Sequence, residues 1–473
     1  MFIGRTRELD ELNTQLEVVR RGTRADRGVA VMIRGRRRVG KSRLVNEFIE
    51  RTGLPHAYFQ AARHAPQEQE FELLAASVAA STLPGAAVAV GNRPATLTAA
   101  LTLLAAALPT DTPAVVVIDE VPWLLEGIEG GAGELQRTWD NLFARRPVLL
   151  LLLGSDLAMM EHLTAPDQPF YGRATEMVLD PLTPTDVGTM TGVDAFSAFD
   201  AYLITGGLPL VAQEWEQGMS AIEFLRSSFS RSTSALVVSG SRALDSEFGE
   251  ATFARQVLTA IGGLGERTFS GIASSHGGIN AATLTSTLNT LRAKRVVTAD
   301  EPLSTKASSK DKRWRIADPG LRFWLAFVEP ALAEVDRGRP DLAVARVEEG
   351  FSSWRGRAVE PVVRAALQRL LPDDAWPHAR QVGGWWPRNN TPEIDLVGAD
   401  HRPAKSIAFV GTIKWRADKP LEGRDVAKLA ADATRVPGVG ASTPLVGVCP
   451  SGVRDGVDLH AVWTAEDLLA AWP

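Results

Sequence analysis

The chain has 473 residues and only one cysteine, Cys449. A single cysteine excludes an intrachain disulfide and a zinc site built from several cysteines, and it fits a reducing cytoplasm. Long apolar runs are lacking too: runs such as VLLLLL from Val148 are far too short to cross a bilayer. The charged start MFIGRTRELDELN contains no secretory apolar segment. We therefore expect a cytoplasmic protein that makes no contact with a membrane.

An excess of positive charge is also lacking. The formal net charge is −5, with 51 Lys and Arg against 56 Asp and Glu. The whole chain is therefore no general binder of polyanions, and any contact with nucleic acid needs a local basic face. The composition, with 45% hydrophobic and 23% charged residues, is that of a globular protein. The length predicts about three domains.

Short apolar runs alternate with helical stretches in the first 185 residues. The runs cover residues 29–35, 114–120 and 148–155, and they are typical of parallel strands that are buried on both faces. Helical patterns cover residues 41–52 and 133–145. This alternation predicts a doubly wound α/β core.

A phosphate-binding motif, GRRRVGKS, lies where the first strand meets the first helix, and it fits G-x-x-x-x-G-K-[ST]. The glycines allow backbone N–H groups to surround phosphates, and the helix N-terminus adds positive potential. Lys41 would reach the β- and γ-phosphates, and Ser42 would hold Mg²⁺. The predicted ATP-binding residues of this loop are Gly35, Arg36, Arg37, Arg38, Val39, Gly40, Lys41, Ser42 and Arg43.

Two acidic residues follow the second apolar run. Asp119 ends the strand VVVID and is placed to bind Mg²⁺ through water, and Glu120 can polarise the attacking water. Ser155 and Asp156 end the next run, where a polar side chain either senses the γ-phosphate or caps the strand. Together these residues predict an ATP-hydrolysing site that uses Mg²⁺.

Five segments occur in the order seen in STAND-type P-loop ATPases of the AAA+ superclass: FIGRTREL, the phosphate-binding loop, VVVIDEVPWL, YGRATEMVLDPL and TGGLPL. Over its full length the chain resembles the archaeal-type ATPases of that group, which are also widespread in bacteria. The resemblance implies an ATPase core at 1–193, a helical lid at 194–250, a winged helix at 251–330 and a nuclease-like domain at 331–473. The expected fold class is α/β, with a P-loop AAA+/STAND-like core.

Further nucleotide contacts are implied by this resemblance. Pro209 would lie over the nucleotide base, although a proline after glycine also begins many helices. Arg173 would stabilise transition-state charge at the γ-phosphate, in its own chain or in a neighbour, or it is a surface arginine. Four residues of the N-terminal segment would lie by the adenine: Phe2, Ile3, Gly4 and Arg5.

The segment 251–330 shows the order of helices and strands of a winged helix, with a recognition-type helix from Thr283 to Arg295. In DNA-binding versions this helix enters the major groove and basic side chains meet phosphates. The module either contacts DNA or serves as a structural part of a nucleotide switch. Its basic residues are Arg292, Lys294 and Arg295 at the helix end and Lys306, Lys310, Lys312 and Arg313 in the wing.

A long helix is predicted over about 342–371, and the segments around it and after it resemble the PD-(D/E)XK nuclease core: EEGFSSWRGRAVEPVVRAAL, GGWWPRNNTPEIDLVGAD and IAFVGTIKW. The resemblance places Glu360, Asp395 and Lys414 around Mg²⁺, with Glu393 beside Asp395. The first acid of the E-x-K triplet falls on Thr412, a neutral hydroxyl where a hard cation prefers a charged oxygen. We therefore expect a degenerate nuclease used for binding, with a rearranged cutting site as the alternative.

Three functions are compatible with these features. The first is an ATP-driven molecular switch that acts on DNA, and the second is an ATP-gated, metal-dependent DNA nuclease. The third is a nucleotide-dependent signalling scaffold. The expected cofactors are ATP and Mg²⁺, and the expected partners are ATP or ADP, DNA, and protein partners or further copies of the chain.

Overall fold

The computed structural model describes residues 2–22, 27–248, 252–275, 278–306 and 311–472. It divides the chain into two compact units, residues 1–181 and 182–473. Lys310, one of the cations expected in the wing, lies outside the described residues. Within the described ranges, no helix is both long enough and apolar enough to span a bilayer.

The first unit is built around a five-stranded parallel sheet with the strand order β2-β3-β4-β1-β5. Strands β3 and β4 are buried along their whole length, so the doubly wound core predicted from continuous apolar runs is confirmed. The elements are α1 (Thr6–Arg21), β1 (Val29–Arg34), α2 (Lys41–Thr52), β2 (His56–Gln60), α3 (Gln67–Ala79), α4 (Leu97–Ala107), β3 (Ala114–Asp119), α5 (Val121–Leu125), α6 (Gly131–Thr138), β4 (Val148–Gly154), α7 (Leu157–Leu163) and β5 (Ala174–Val178).

The register of this sheet brings three chain segments to one edge. β1 lies beside β4, with Arg34 opposite Gly154, and β4 lies beside β3, with Leu152 opposite Ile118. Because all strands run in the same direction, the segments that follow β1, β3 and β4 emerge together at the carboxyl edge. Ligands of open α/β sheets bind at this edge.

The second unit begins with helices and continues into a small antiparallel sheet of order β6-β8-β7. Three helices, α13 to α15, precede the hairpin β7–β8, and a short strand, β6, that the sequence did not predict lies between α13 and α14. The elements are α8 (Pro184–Thr191), α9 (Ala195–Thr205), α10 (Pro209–Ala212), α11 (Ala221–Phe229), α12 (Ala235–Phe248), α13 (Thr252–Ile261), β6 (Arg267–Thr268), α14 (Phe269–Ala273), α15 (Ala281–Ala293), β7 (Val297–Asp300) and β8 (Arg313–Ile316).

The C-terminal part of this unit contains a mixed sheet of order β13-β12-β11-β10-β9. Strands β9, β10 and β11 are antiparallel, whereas β11, β12 and β13 are parallel. The elements are α16 (Pro319–Phe323), α17 (Glu329–Asp336), α18 (Pro340–Ala358), α19 (Glu360–Leu370), β9 (Gln381–Trp385), β10 (Ile394–Ala399), β11 (Ile407–Ile413), α20 (Gly423–Ala433), β12 (Leu445–Val448), β13 (Ala461–Trp463) and α21 (Ala465–Leu469).

One hydrophobic core runs through the second unit. It includes Phe199 of α9, Leu258 of α13, Trp354 of α18 and Leu396 of β10, all buried. The indole of Trp354 also donates a hydrogen bond to the carbonyl of Gly263, at 2.9 Å. The helical part, the small antiparallel sheet and one side of the C-terminal sheet therefore share this core, whereas Val397 and Val410 of the same sheet belong to a separate cluster.

The loop between β7 and β8, which we call the wing, packs on the C-terminal sheet. The backbone N–H of Leu303 donates to the carbonyl of Gly384 in β9, at 2.8 Å, and the Leu303 side chain is fully buried. At the other end of the wing, the indole of Trp386 donates to the carbonyl of Asp311, at 2.8 Å. The described ends of the wing, at Leu303 and Asp311, thus make contacts within the second unit.

Candidate functional site

The loop between β1 and α2, which carries the phosphate-binding motif, needs glycine at two of its positions. Gly40 has φ 95°, a region that side chains disfavour, and a Cβ on Gly35 would lie 2.5 Å from the carbonyl oxygen of Leu179. The Lys41 side chain is buried, and its Nζ donates to the carbonyl of Gly35, at 2.8 Å. A buried ammonium group therefore lies against the loop, where such loops hold phosphates.

Asp119, at the end of β3, is 2% exposed and accepts three hydrogen bonds. Ser42 Oγ and Tyr58 OH donate to its Oδ2, at 2.7 and 2.6 Å, and the backbone N–H of Glu120 donates to its Oδ1, at 2.9 Å. Burial and the bond to Asp119 raise the pKa of Tyr58 above its ordinary value, so its hydroxyl keeps the proton. The Ser42 and Asp119 oxygens are ligands of the kind that Mg²⁺ prefers.

Glu120, the predicted base, is held by Ser155 from the end of the neighbouring strand β4. The backbone N–H of Ser155 donates to Glu120 Oε2, at 3.1 Å, and its hydroxyl donates to Oε1. Glu120 itself has φ 56°, a left-handed conformation. The sequence predicted that Ser155 senses phosphate or caps the strand. It did not predict the contact of Ser155 with Glu120, because this contact joins the ends of two separate strands.

The N-terminal segment lies against the phosphate-binding loop. Arg5 is buried, and its Nη2 donates to the carbonyl of Val39, at 2.9 Å. The Phe2 ring lies 5.8 Å from the guanidinium of Arg51 in α2. Arg5 and Phe2 therefore contact the loop and α2, and the contact of this segment with adenine stays a prediction.

Arg37 connects the loop to the segment that carries the acidic residues. Its guanidinium lies over the indole of Trp123, 5.2 Å from the ring centroid. Trp123 belongs to α5, which begins directly after Glu120. The contact is a cation–π interaction, and the sequence motif does not predict it.

Arg173 does not reach the phosphate-binding loop of its own chain, which corrects one of the two positions considered for it. In the register of β5 with β1, Ala174 lies opposite Ala30 and Val178 opposite Arg34. Arg173 therefore lies at the amino edge of the sheet, about 16 Å along the strand from the loop. Its Nε and Nη2 bind the two carboxylate oxygens of Asp140, at 2.8 and 3.0 Å. A role toward a nucleotide of another chain stays a prediction.

Pro209 is the first residue of α10 in the second unit. Gly206 and Gly207 precede it with φ 64° and 66°, and a Cβ on Gly207 would lie 2.2 Å from the carbonyl oxygen of Leu182. The helix start considered for this proline is thus what the structure shows. A contact of Pro209 with a nucleotide base stays a prediction.

The C-terminal sheet brings three of the four predicted nuclease-like residues together, because β10 and β11 are antiparallel neighbours. Asp395 Oδ2 accepts hydrogen bonds from Thr412 Oγ1 and from the backbone N–H of Ile413, both at 2.8 Å. Lys414 Nζ lies 3.6 Å from the same oxygen. The hydroxyl of Thr412, at the position where the nuclease motif has a carboxylate, therefore donates a hydrogen bond to Asp395.

Glu360, the fourth residue, joins this cluster through an arginine that the sequence analysis missed. Arg364 Nη2 binds Glu360 Oε2, and Arg364 Nε donates to the carbonyl of Asp395, both at 2.9 Å. Burial raises the pKa of Glu360 to about 8, opposed by Arg364 and increased by Asp395. No group of three or more His, Cys, Asp or Glu suited to a metal occurs in the described part of the chain. The spacing of Glu360 and Arg364, four residues along a helix, was the available signal.

Two of the basic residues considered for DNA contact, Lys312 in the wing and Arg313 at the start of β8, have acidic partners within the second unit. Arg313 is buried, with its Nη1 2.6 Å from Glu393 and its guanidinium 4.2 Å from the ring centroid of Trp386. Lys312 pairs with Glu301, at 2.8 Å. Glu393, considered as a substitute metal ligand, is therefore bound to a cation instead.

Two family models match parts of the chain. Residues 1–129 match the AAA ATPase domain, and residues 324–428 match a family described as archaea bacterial proteins of unknown function. An uncharacterized protein of Methanocaldococcus jannaschii is 25% identical over 439 residues, which are 92% of this chain and 91% of that protein.

Several solved structures are similar to the chain at low identity. The Walker-type ATPase of Pyrococcus abyssi is 18% identical and matches 68% of this chain and 96% of its own, with a TM-score of 0.49. The Aeropyrum pernix ORC2 protein is 13% identical, with 73% and 96% matched and a TM-score of 0.43. The Aeropyrum pernix ORC1 protein, solved with DNA, is 16% identical, with 73% and 95% matched and a TM-score of 0.36. These scores are too low to transfer an activity from those proteins to this chain.

Proposed function

We propose that the chain is a molecular switch of STAND type that binds and hydrolyses ATP and acts on DNA. Residues 1–129 match an AAA ATPase domain, and the chain is accordingly an ATPase. The observation that carries the proposal is the buried set at the carboxyl edge of the first sheet. There Lys41 lies against the loop, and Ser42 is bonded to Asp119, at 2.7 Å.

These residues fit a nucleotide with Mg²⁺. Lys41 and the backbone N–H groups of the loop would hold the phosphates, and the Ser42 hydroxyl and Asp119 carboxylate would hold the ion. A bound Mg²⁺ supplies positive charge that offsets the negative charge of the phosphates. The Tyr58 and Glu120 contacts fix the Asp119 carboxylate from two sides.

Glu120 is the proposed base, and Ser155 is proposed to control it. In the structure both carboxylate oxygens of Glu120 accept hydrogen bonds from Ser155. A γ-phosphate that attracts the Ser155 hydroxyl would free one oxygen of Glu120, which can then orient and polarise water. Sensing of the phosphate and activation of water would thus share one serine.

The test is nucleotide binding and steady-state hydrolysis by matched variants. Lys41→Ala is expected to weaken ATP binding about 10–100-fold, the loss typical of charged hydrogen bonds. Glu120→Gln is expected to keep binding and to slow hydrolysis about 10²–10⁴-fold. The control is Glu126→Gln, at an exposed glutamate that follows α5, and it should change neither. Turnover by Glu120→Gln equal to wild type would refute the role given to Glu120.

For DNA we propose that α13, α14, α15 and the three short strands form a winged helix. Support comes from the order of these elements and from exposed arginines at the end of α15, Arg292 and Arg295. Lys306, also exposed, is a further candidate, whereas Lys312 and Arg313 are left out because of their ion pairs. Salt-dependent affinity of the purified protein for a duplex tests this, and its absence would favour the signalling scaffold.

For the C-terminal sheet we propose a degenerate PD-(D/E)XK-like module that binds and does not cut. Asp395 Oδ2 accepts hydrogen bonds from Thr412 and Ile413. The guanidinium of Arg364 binds Glu360 and the Asp395 carbonyl. Cations already balance these acids, so a dication gains little there. Lys414, with 31% of its side chain exposed, is the proposed phosphate contact.

A further inference from the structure

The hydroxyl of Tyr58 contacts the ATPase site from a strand that carries no nucleotide-binding motif. Tyr58 lies on β2, the edge strand next to β3. In their register, Tyr58 lies opposite Val117 and Gln60 lies opposite Asp119. The long tyrosine side chain covers this offset of two residues and brings its hydroxyl to 2.6 Å from Asp119 Oδ2. A smaller hydroxyl side chain at this position would not reach.

The two hydrogen bonds to Asp119 Oδ2 are not equivalent. One comes from Ser42, which is itself a candidate ligand of Mg²⁺, and the other comes from Tyr58, which is not. The final torsion of an aspartate side chain is soft, so its carboxylate keeps one orientation only if both oxygens are held. The Glu120 N–H holds Oδ1, and Tyr58 holds Oδ2 with a hydroxyl that is not itself a candidate metal ligand.

We propose that Tyr58 is a positioning residue for the Mg²⁺ site. Its hydroxyl fixes the Asp119 carboxylate in the orientation that faces Ser42. The inference rests on the proposed function, because it takes Ser42 and Asp119 as the residues that hold the ion. Residues that orient a metal ligand typically contribute about 10–100-fold to metal affinity. Removal of this one hydroxyl should therefore weaken metal binding about 10-fold.

The experiment uses Tyr58→Phe in the full chain, with Mn²⁺ and a non-hydrolysable ATP analogue as probes. Phenylalanine keeps the ring and removes only the hydroxyl. Free Mn²⁺ is measured by electron paramagnetic resonance during a titration, and affinity for the analogue is measured separately in EDTA. We expect the half-saturating Mn²⁺ concentration to rise about 10-fold, with unchanged affinity for the metal-free analogue.

The matched control is His56→Phe, two residues earlier on the same strand. Its ring bonds the Leu54 carbonyl and the Thr82 hydroxyl, both at 3.2 Å, so the Mn²⁺ titration should match wild type. An unchanged Mn²⁺ titration in Tyr58→Phe would overturn the proposal. An equal loss of metal-free analogue affinity would also overturn it, because the effect would then not concern the metal. A wild-type protein that binds neither analogue nor Mn²⁺ would instead refute the proposed function.

Discussion

Arg313→Ala separates an internal role of the wing from a DNA-binding role. Arg313 lies on β8, and its guanidinium contacts Glu393, Glu266 and the ring of Trp386. If these contacts fasten the wing to the C-terminal sheet, their loss should free the wing without affecting affinity for DNA phosphates. If instead Arg313 meets phosphate, the variant should bind DNA less tightly and keep a stable wing.

The magnitude follows from the burial of each partner. The side chain of Arg313 is 10% exposed, that of Glu266 17%, and that of Glu393 39%. Removal of one partner from a fully buried pair costs about 3–5 kcal/mol, whereas an exposed pair contributes about 0–1 kcal/mol. Because Glu393 recovers much of its hydration, we expect a cost of about 2 kcal/mol, between these limits. That energy corresponds to a roughly 30-fold change in a local opening equilibrium.

Hydrogen exchange measured by mass spectrometry reports this opening. Peptides from β8 and from the β9–β10 region should lose about 30-fold of their protection in Arg313→Ala. Lys312→Ala is the adjacent control: Lys312 and Glu301 are each 35% exposed, so its effect should be at most about 0.5 kcal/mol. Arg292→Ala, at the exposed end of α15, should leave exchange unchanged and lower the salt slope of DNA binding by about one.

The reverse pattern would refute the internal role of Arg313. Arg313→Ala would then show wild-type exchange throughout the wing, together with a salt slope of DNA binding reduced by about one. Such a result would assign Arg313 to a phosphate and return it to the basic patch that the sequence predicted.

Two further predictions concern the second unit. We expect no Mg²⁺- or Mn²⁺-dependent cleavage of duplex or single-stranded DNA by the wild type, with or without ATP. Thr412→Glu should cleave at most weakly, because Arg364 still neutralises the acids. Robust wild-type cutting that is lost in Asp395→Ala would contradict this. Burial raises the pKa of Asp200 from 3.8 to about 6, opposed by Arg355 at 2.9 Å. The folded state then binds this proton more tightly than the unfolded state, so stability should fall by roughly 3 kcal/mol as the pH rises from about 4 to about 6. Asp200→Asn should lack that part of the fall in denaturant unfolding, and curves that stay parallel to wild type would contradict the assignment.

The sequence predicted best what depends on local pattern. The junction of β1 and α2 was predicted because a loop that surrounds phosphates needs glycine at fixed positions. Strands β3 and β4 were predicted because strands that are covered on both faces are apolar throughout. A single helix over 342–371 was wrong in detail: it is interrupted between Ala358 and Glu360, and Pro361, which lacks a backbone N–H, fits the first turn of a new helix.

Contacts between distant segments could not be predicted in this way. Tyr58 and Asp119 are 61 positions apart, and Arg313 and Glu393 are 80 positions apart, so no periodicity links them. β9 was missed because it contains two glycines, which weaken the strand pattern. At one of them, Gly384, a Cβ would lie 2.8 Å from Arg364 Nη2, so the glycine makes room for the guanidinium of Arg364.

The shared core of the second unit determines how the protein can be divided into fragments. The boundaries predicted at 250 and 330 do not divide the core, because Phe199, Leu258, Trp354 and Leu396 belong to one buried cluster. A fragment that ends at 330 would expose the partners of Trp354, and one that begins at 331 would leave Gly384 without the Leu303 backbone bond. Truncated proteins for expression should therefore keep residues 182–473 together, and isolated winged-helix or nuclease-like fragments should be insoluble or partly folded.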